Sequence, residues 1–428
     1  MSHTTETRTK KDRVNCQPAS TLRATSIEQE RLLGQRKPAT LDKVARMNQA
    51  LRHEEPDRVP ISDFFWGSFL KRWREELGLS PDADPYYHYD LDWVVTQPNM
   101  DPWIRSFEII KQNDREVVAK TGFGAVMRKK FDFPMPEPIA WETDAIEKLE
   151  AVEFDDPADR RRFFTSGDNH LVGMSDTFER DSPAWLDSVK TLHPDFAVYG
   201  STVECSECLT RLIGQRNTML WIGLYPGQMG KAINRIGQFY LDFLKAEIRA
   251  ADGLLDGMVI WGDVAYRNSM FFSPTYWRQY FRPWVKAMVD ECHAHDLPVI
   301  YHGCGNVSFI LNDFVEIGID ALNPLEAKAG LDCVELRRQY GHRLGLCGNS
   351  NIQVWESNDR EHIRHEVLRK LEAAKGGGMI FQSDHSVSSA VSGHTYDFIV
   401  NLVREFGTYP LGLPKRGLKE HRIDRQHR

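Results

Sequence analysis

Cysteine is scarce in this chain: seven among 428 residues, too few and too scattered for a disulfide framework. No apolar run approaches the ~18 residues that a membrane span needs. The N-terminus is polar and of mixed charge, without the apolar centre of a secretory leader. Together these absences predict reduced thiols and a cytoplasmic location. Positive charge is not in excess. The net charge is -7, which gives no electrostatic reason to expect nucleic acid as a partner. What remains is the composition of an ordinary soluble globular protein.

Residues 1 to about 40 are rich in Thr, Ser, Lys, Arg and Gln and predict a disordered or loosely packed arm. Residues 415–428 read as a solvated charged tail. The body, 41–414, alternates short apolar strands with amphipathic helices. Val59-Pro60-Ile61-Ser62-Asp63-Phe64 reads as the first core strand, after a helix near 41–53. Residues 90–195 are less regular and predict a long insertion covering one mouth of the fold. The strands restart at Ala197-Val198-Tyr199-Gly200-Ser201 and recur near 257–263, 299–304, 320–324, 344–349 and 377–382. Between them lie helices, including one that starts at Ser273-Pro274 and carries Trp277, Phe281, Val285, Met288 and Cys292 as one apolar stripe. Strands alternating with helices imply parallel pairing. About eight of them predict an α/β fold of the (β/α)8 TIM-barrel type, whose chemistry sits at the strands' carboxyl ends.

The segment Val299-Ile300-Tyr301-His302-Gly303-Cys304-Gly305 is the most legible. Side chains alternate along a strand, so His302 and Cys304 point the same way. An imidazole and a thiol on one face suit a soft divalent ion such as Zn2+. A catalytic zinc needs about three protein ligands and one open position. His385, just past the last strand, is the candidate third ligand. Asp384 beside it is either a ligand or an acceptor for an imidazole N–H. Asp263 and Glu326 follow the neighbouring strands and are candidates for general base, substrate anchor or spare ligand.

Other patterns have plainer explanations. Cys205-Ser206-Glu207-Cys208 has no second such pair and opens a helix. Asp168-Asn169-His170-Leu171-Val172-Gly173 matches a cobalamin-binding signature, but no doubly wound domain surrounds it. Gly376, Gly377 and Gly378 precede a strand and suit a helix C-cap and a tight turn better than a phosphate loop. Tyr86, Tyr87, Tyr89 and Trp93 read as packing or lid residues.

Several segments together resemble the uroporphyrinogen decarboxylase superfamily. They run from Gly262-Asp263-Val264-Ala265-Tyr266 to Ser273-Pro274, then through His302-Gly303-Cys304-Gly305-Asn306, Asp320-Ala321-Leu322-Asn323-Pro324, Gly348-Asn349 and the three glycines. Glu55-Pro56-Asp57-Arg58-Val59-Pro60 is similar to the way that family leads into its first strand. The resemblance spans about residues 41–407 and is weakest between 90 and 195. It implies a (β/α)8 barrel and two chemistries. The decarboxylases hold their tetrapyrrole with an aspartate and several arginines, including an N-terminal arginine-rich motif. Asp63-Phe64-Phe65-Trp66-Gly67 stands in that place here. The zinc-dependent branch, similar to methylcobamide:coenzyme M methyltransferases, uses His-x-Cys and a distal cysteine. His302 and Cys304 match the first two, and His385 stands at or beside the third, with Cys347 as an alternative.

The resemblance therefore implies a zinc-dependent methyltransferase moving a methyl group between a corrinoid, or a methylated small molecule, and a thiol-type acceptor. His302, Cys304 and His385 would hold the metal. Asp263, Glu326 and Asp384 would serve catalysis, and Tyr266 and Asn349 would touch the cofactor. The corrinoid would ride on a separate protein, and a second copy of the chain is a further candidate partner. The alternative is a carboxy-lyase, for which Arg58 and Arg267 are candidate anchors of a carboxylated substrate.

Overall fold

The computed structural model describes residues 36–105, 108–133, 135–166 and 183–414. Most of the arm, the charged tail and the Asp168 to Gly173 match lie outside the described residues.

Seven parallel strands form one curled sheet. In chain order they are β1 (Trp93–Val95), β6 (Ala197–Val203), β7 (Gly257–Trp261), β10 (Val299–His302), β11 (Ala321–Asn323), β12 (Gly345–Cys347) and β13 (Met379–Ile380), paired in that same order. Four antiparallel strands, β2 (Glu108–Gln112), β3 (Glu116–Lys120), β4 (Ala125–Lys130) and β5 (Glu137–Trp141), form a second sheet. A small hairpin pairs β8 (Ala265–Tyr266) with β9 (Ser269–Met270).

The eighth strand and full closure expected from the sequence are not present as a ladder. The segment around Ile61 lies between the two edges of the large sheet and meets them through a few isolated bonds, with Ser62 N also donating to Phe381 O at 3.2 Å. Phe381 N donates to Pro60 O (2.8 Å) on the β13 side, and Asp92 N donates to Ile61 O (2.9 Å) on the β1 side. Pro60 has no N–H to give, and the Ile61 N–H goes to the Asp92 carboxylate at 2.7 Å, so no continuous ladder forms. Trp93–Val95, inside the irregular stretch 90–195, is an edge strand of the large sheet; three residues are too few for a periodic signal.

Inward side chains alternate with outward ones along each strand. Trp93, Ala197, Tyr199, Val259, Ile300, Ala321, Cys347 and Ile380 form the interior cluster, with Met47 and Leu51 of the helix Pro38–Leu51 packed into it. Two residues further along, the inward positions are Trp261, His302, Asn323 and Gln382. The interior thus turns from apolar to polar towards the carboxyl end. Outward side chains pack on the surrounding helices, of which Pro226–Ala251 is the longest described.

The predicted helix from Ser273 is divided. Ser273 Oγ accepts from Tyr276 N (3.1 Å) and caps Pro274–Tyr280, but Arg282–Ala294 is a separate helix after Phe281. Pro283 disfavours helical continuation of the residue before it and removes one N–H, which divides an otherwise continuous apolar stripe. Among the described residues no helix is long and apolar enough to cross a membrane.

Candidate metal centre and the cleft beside it

The strand β10 delivers His302 to the carboxyl end of the sheet, and Cys304 follows two residues later. Their reactive atoms meet: Cys304 Sγ lies 3.5 Å from His302 Nε2. Asp263, two residues past β7, completes the group, with Oδ1 3.9 Å from His302 Nε2. One ligand atom from each of Asp263, His302 and Cys304 lies within 4.8 Å of the others, and all three residues are half-buried.

Local chemistry holds this geometry. Cys304 N donates to Asp263 Oδ1 at 2.9 Å, tying the loop after β10 to the loop after β7. Gly305 takes φ +79°, where a Cβ would sit 2.7 Å from the Tyr266 carbonyl oxygen, so the chain can turn here only on glycine. The Trp261 ring packs edge-on against the His302 ring, with centroids 4.7 Å apart. The other imidazole nitrogen, Nδ1, lies 2.6 Å from Asn323 Oδ1.

Burial pushes the Cys304 thiol well above its ordinary range, and the Asp263 and Glu326 carboxylates beside it push it further. Glu326 itself is buried and faces Lys328 Nζ at 3.8 Å. A buried sulfur hemmed by two carboxylates, beside an imidazole, has its negative charge unbalanced unless a cation or a proton is present. The donor set of carboxylate, imidazole and thiol fits a zinc-type ion.

The other expected site residues lie elsewhere. His385 is outside the group: its ring packs edge-on against Trp66 at 5.6 Å, and Nδ1 faces Ser386 O at 3.4 Å. Asp384 is fully buried and accepts from Ala327 N (2.9 Å) and Ile352 N (2.8 Å), which makes it a fastener of two loops. Burial raises its carboxyl above the usual range. Asn349 has its amide occupied by Cys333 N, Lys370 Nζ, Leu325 O and Leu331 O. Tyr266 is 49% exposed and stacks on Phe271 at the rim. Cys347 points into the interior against Asn323 and Gln382. Asp63 is buried under Ser383 and Tyr396, and burial pushes its carboxyl up to about 7. Cys205 and Cys208 are both buried in the helix Cys205–Ile213.

Three functional candidates escaped the sequence reading. Asn323 sits in a run that carries the family resemblance and Gln382 in one that reads as strand, but neither is singled out there, because which strand neighbours which is not written in the spacing. Glu204, at the end of β6, is buried and pushed up to about 7 by that burial.

A cleft of about 510 Å³ opens beside the metal group. Phe123, Ala125, Met127 and Trp141 of the antiparallel sheet form one wall, Arg211, Gln215 and Arg216 another, and Asp263 and Phe271 its inner end. Its size suits a small-molecule site, commonly ~300–1,000 Å³.

A model of the uroporphyrinogen decarboxylase family (URO-D) matches residues 150–406, more than half of the chain. The chain belongs to that family. Two curated uroporphyrinogen decarboxylases, from Pseudomonas entomophila and Pseudomonas putida, are each 27% identical to it over 189 residues, 42% of this chain and 49% of theirs. The chain therefore spans about half the length of the curated relatives it matches. Among solved structures, a methyltransferase from Methanosarcina mazei superposes with a TM-score of 0.59 over 85% of this chain and 98% of that one, at 16% identity. At that identity the likeness speaks for a shared fold. Within the uroporphyrinogen decarboxylase family fold, the metal-type group occupies the carboxyl ends of β7 and β10.

Proposed function

We propose that this protein is a zinc-dependent methyltransferase of the uroporphyrinogen decarboxylase family. The observation that carries the reading is the convergence of Asp263, His302 and Cys304 donor atoms within 4.8 Å at the mouth of the sheet. His302 Nε2, Cys304 Sγ and an Asp263 oxygen would hold the ion. When bound, Zn2+ supplies Lewis acidity that keeps an acceptor thiol ionised near neutral pH.

The chain's own groups do the rest. The cleft wall of Phe123, Met127, Trp141 and Phe271 excludes water and seats the apolar part of the substrate. Glu326, within reach of the Cys304 sulfur, accepts a proton as a thiol enters. The methyl donor is a corrinoid carried by a separate protein, or a methylated small molecule, presented at the open rim beside Tyr266. The family resemblance and the exposed rim support this reading of the partner.

A second reading is the carboxy-lyase named for the curated relatives. Arg211 and Arg216 in the cleft wall favour it, because they would meet a carboxylate. Two observations weigh against it. Arg58 is bound to Asp92 at 2.7 Å at the amino ends of the strands, far from the cleft mouth. Arg267 is exposed and its Nε donates to the Lys328 carbonyl at 3.2 Å, and it does not line the cleft.

Metal analysis of the purified protein, with a methyl-transfer assay from methylcobalamin to a thiol, separates the two. One zinc per chain, lost in His302→Ala and Cys304→Ser together with transfer, is expected. A metal-free protein that decarboxylates a carboxylated pyrrole would overturn the proposal.

A further inference from the structure

His302 can serve as a ligand through Nε2 only if its proton sits on Nδ1. We infer that Asn323 sets this tautomer, and that the setting originates in a backbone carbonyl inside the sheet. Asn323 is thereby a positioning residue for the metal centre. The inference rests on the proposed metal reading for its purpose, but not for its geometry.

The Cys347 carbonyl oxygen can only accept a hydrogen bond. It lies 3.2 Å from one terminal atom of the Asn323 amide, which must therefore be Nδ2, the donor. The same Nδ2 lies 2.9 Å from Gln382 Oε1. That fixes the other amide atom, Oδ1, as the one facing His302 Nδ1 at 2.6 Å. A carbonyl oxygen accepts and never donates, so Nδ1 must carry the hydrogen. The neutral ring then has its lone pair on Nε2, the atom 3.5 Å from Cys304 Sγ and 3.9 Å from Asp263 Oδ1.

The strands enforce the arrangement. His302 and Asn323 are register partners on β10 and β11, so their side chains share one inward row. Asn323 is 1% exposed, and Gln382 is 2% exposed. Water does not compete for the amide there. Cys347 contributes through its carbonyl, and its thiol donates to Gln382 Oε1 at 3.2 Å, holding that side chain as an acceptor. This gives Cys347 a place in the site without making it a ligand. It also explains why an amide, rather than an apolar residue of similar size, stands at an interior strand position, where a polar group is costly unless every bond is made.

Nitrogen NMR of 15N-histidine-labelled, metal-free protein at pH 8.5 reads the tautomer directly. In the wild type His302 should show a protonated Nδ1 and an unprotonated Nε2. Asn323→Leu removes the acceptor and should move the ring to the Nε2–H form or a mixture, with zinc affinity falling roughly 10–100-fold. Asn323→Asp keeps an acceptor oxygen and should retain the wild-type tautomer and zinc affinity, which a purely structural role for the amide would not predict. A wild-type Nε2–H ring, or a tautomer unchanged in Asn323→Leu, overturns the inference even if zinc binds. A Nδ1–H ring in a protein that binds no zinc leaves the inference standing and removes the metal reading instead.

Discussion

His302 ends β10 and Cys304 stands in the loop after it, while the proposed third donor comes from the loop after β7. Asp263 joins them because its oxygen also takes the Cys304 N–H, so backbone and metal group share one carboxylate. Two substitutions test that set. Asp263→Asn should weaken zinc roughly 10–100-fold by competitive chelator titration. His385→Ala should leave zinc stoichiometric, since that ring rests on Trp66; loss of the ion in His385→Ala would restore the ligand set that the family pattern implies. A separate residue-scale effect concerns Asp63. Its carboxyl is raised from 3.8 to about 7 by burial, so the folded state holds a proton that the unfolded chain has released. The stabilising contribution is present below about pH 4 and is lost as pH climbs through 7. In thermal melts the wild type should therefore lose Tm over that window relative to Asp63→Asn, and a parallel pair of pH profiles would contradict the assignment.

At the scale of elements, the lower end of the sheet is held by one carboxylate. Asp92 is fully buried and accepts from Arg46 (2.5 Å), from Arg58 (2.7 and 2.9 Å) and from Ile61 N (2.7 Å). It fastens the helix Pro38–Leu51, the bridging segment at Ile61 and the start of β1 to one another. Removing the carboxylate leaves Arg58 and the Ile61 N–H without their partner, while Arg46 keeps its pair with Asp57 at 2.6 Å. Asp92→Ala should cost about 3–5 kcal/mol in chemical denaturation while leaving zinc stoichiometry unchanged. The elements were unevenly legible in the sequence. The strand from Val299 to His302 and the apolar stripes of the helices came through, because burial on one face imposes them, but the alternation expected to reach Cys304 stops at His302, and Cys304 is brought to the imidazole by the loop instead. Pro60 and Pro283 altered what the pattern promised, since backbone donors matter as much as side-chain period. Trp93–Val95 was too short to register. Asn323 beside His302 was illegible for another reason: pairing between strands is a property of the closed interior, and spacing along the chain does not encode it.

At the scale of the molecule, the antiparallel sheet β2–β5 supplies one wall of the cleft and the strand ends supply its floor. The Lys120–Glu142 and Arg105–Glu142 pairs brace the sheet itself, and Trp141, whose ring lies against Gly214, ties it to the helices after β6. Filling the cleft should separate substrate binding from metal binding. Met127→Trp should raise KM or abolish transfer in steady-state assays while the zinc content stays that of the wild type. A variant that keeps its kinetics would place the substrate elsewhere.

The most direct test of the metal reading is zinc K-edge X-ray absorption on the zinc-loaded wild type. One sulfur near 2.3 Å with nitrogen and oxygen scatterers near 2.0–2.2 Å is the expected first shell. A shell without sulfur, or a protein that retains no zinc to measure, would contradict it.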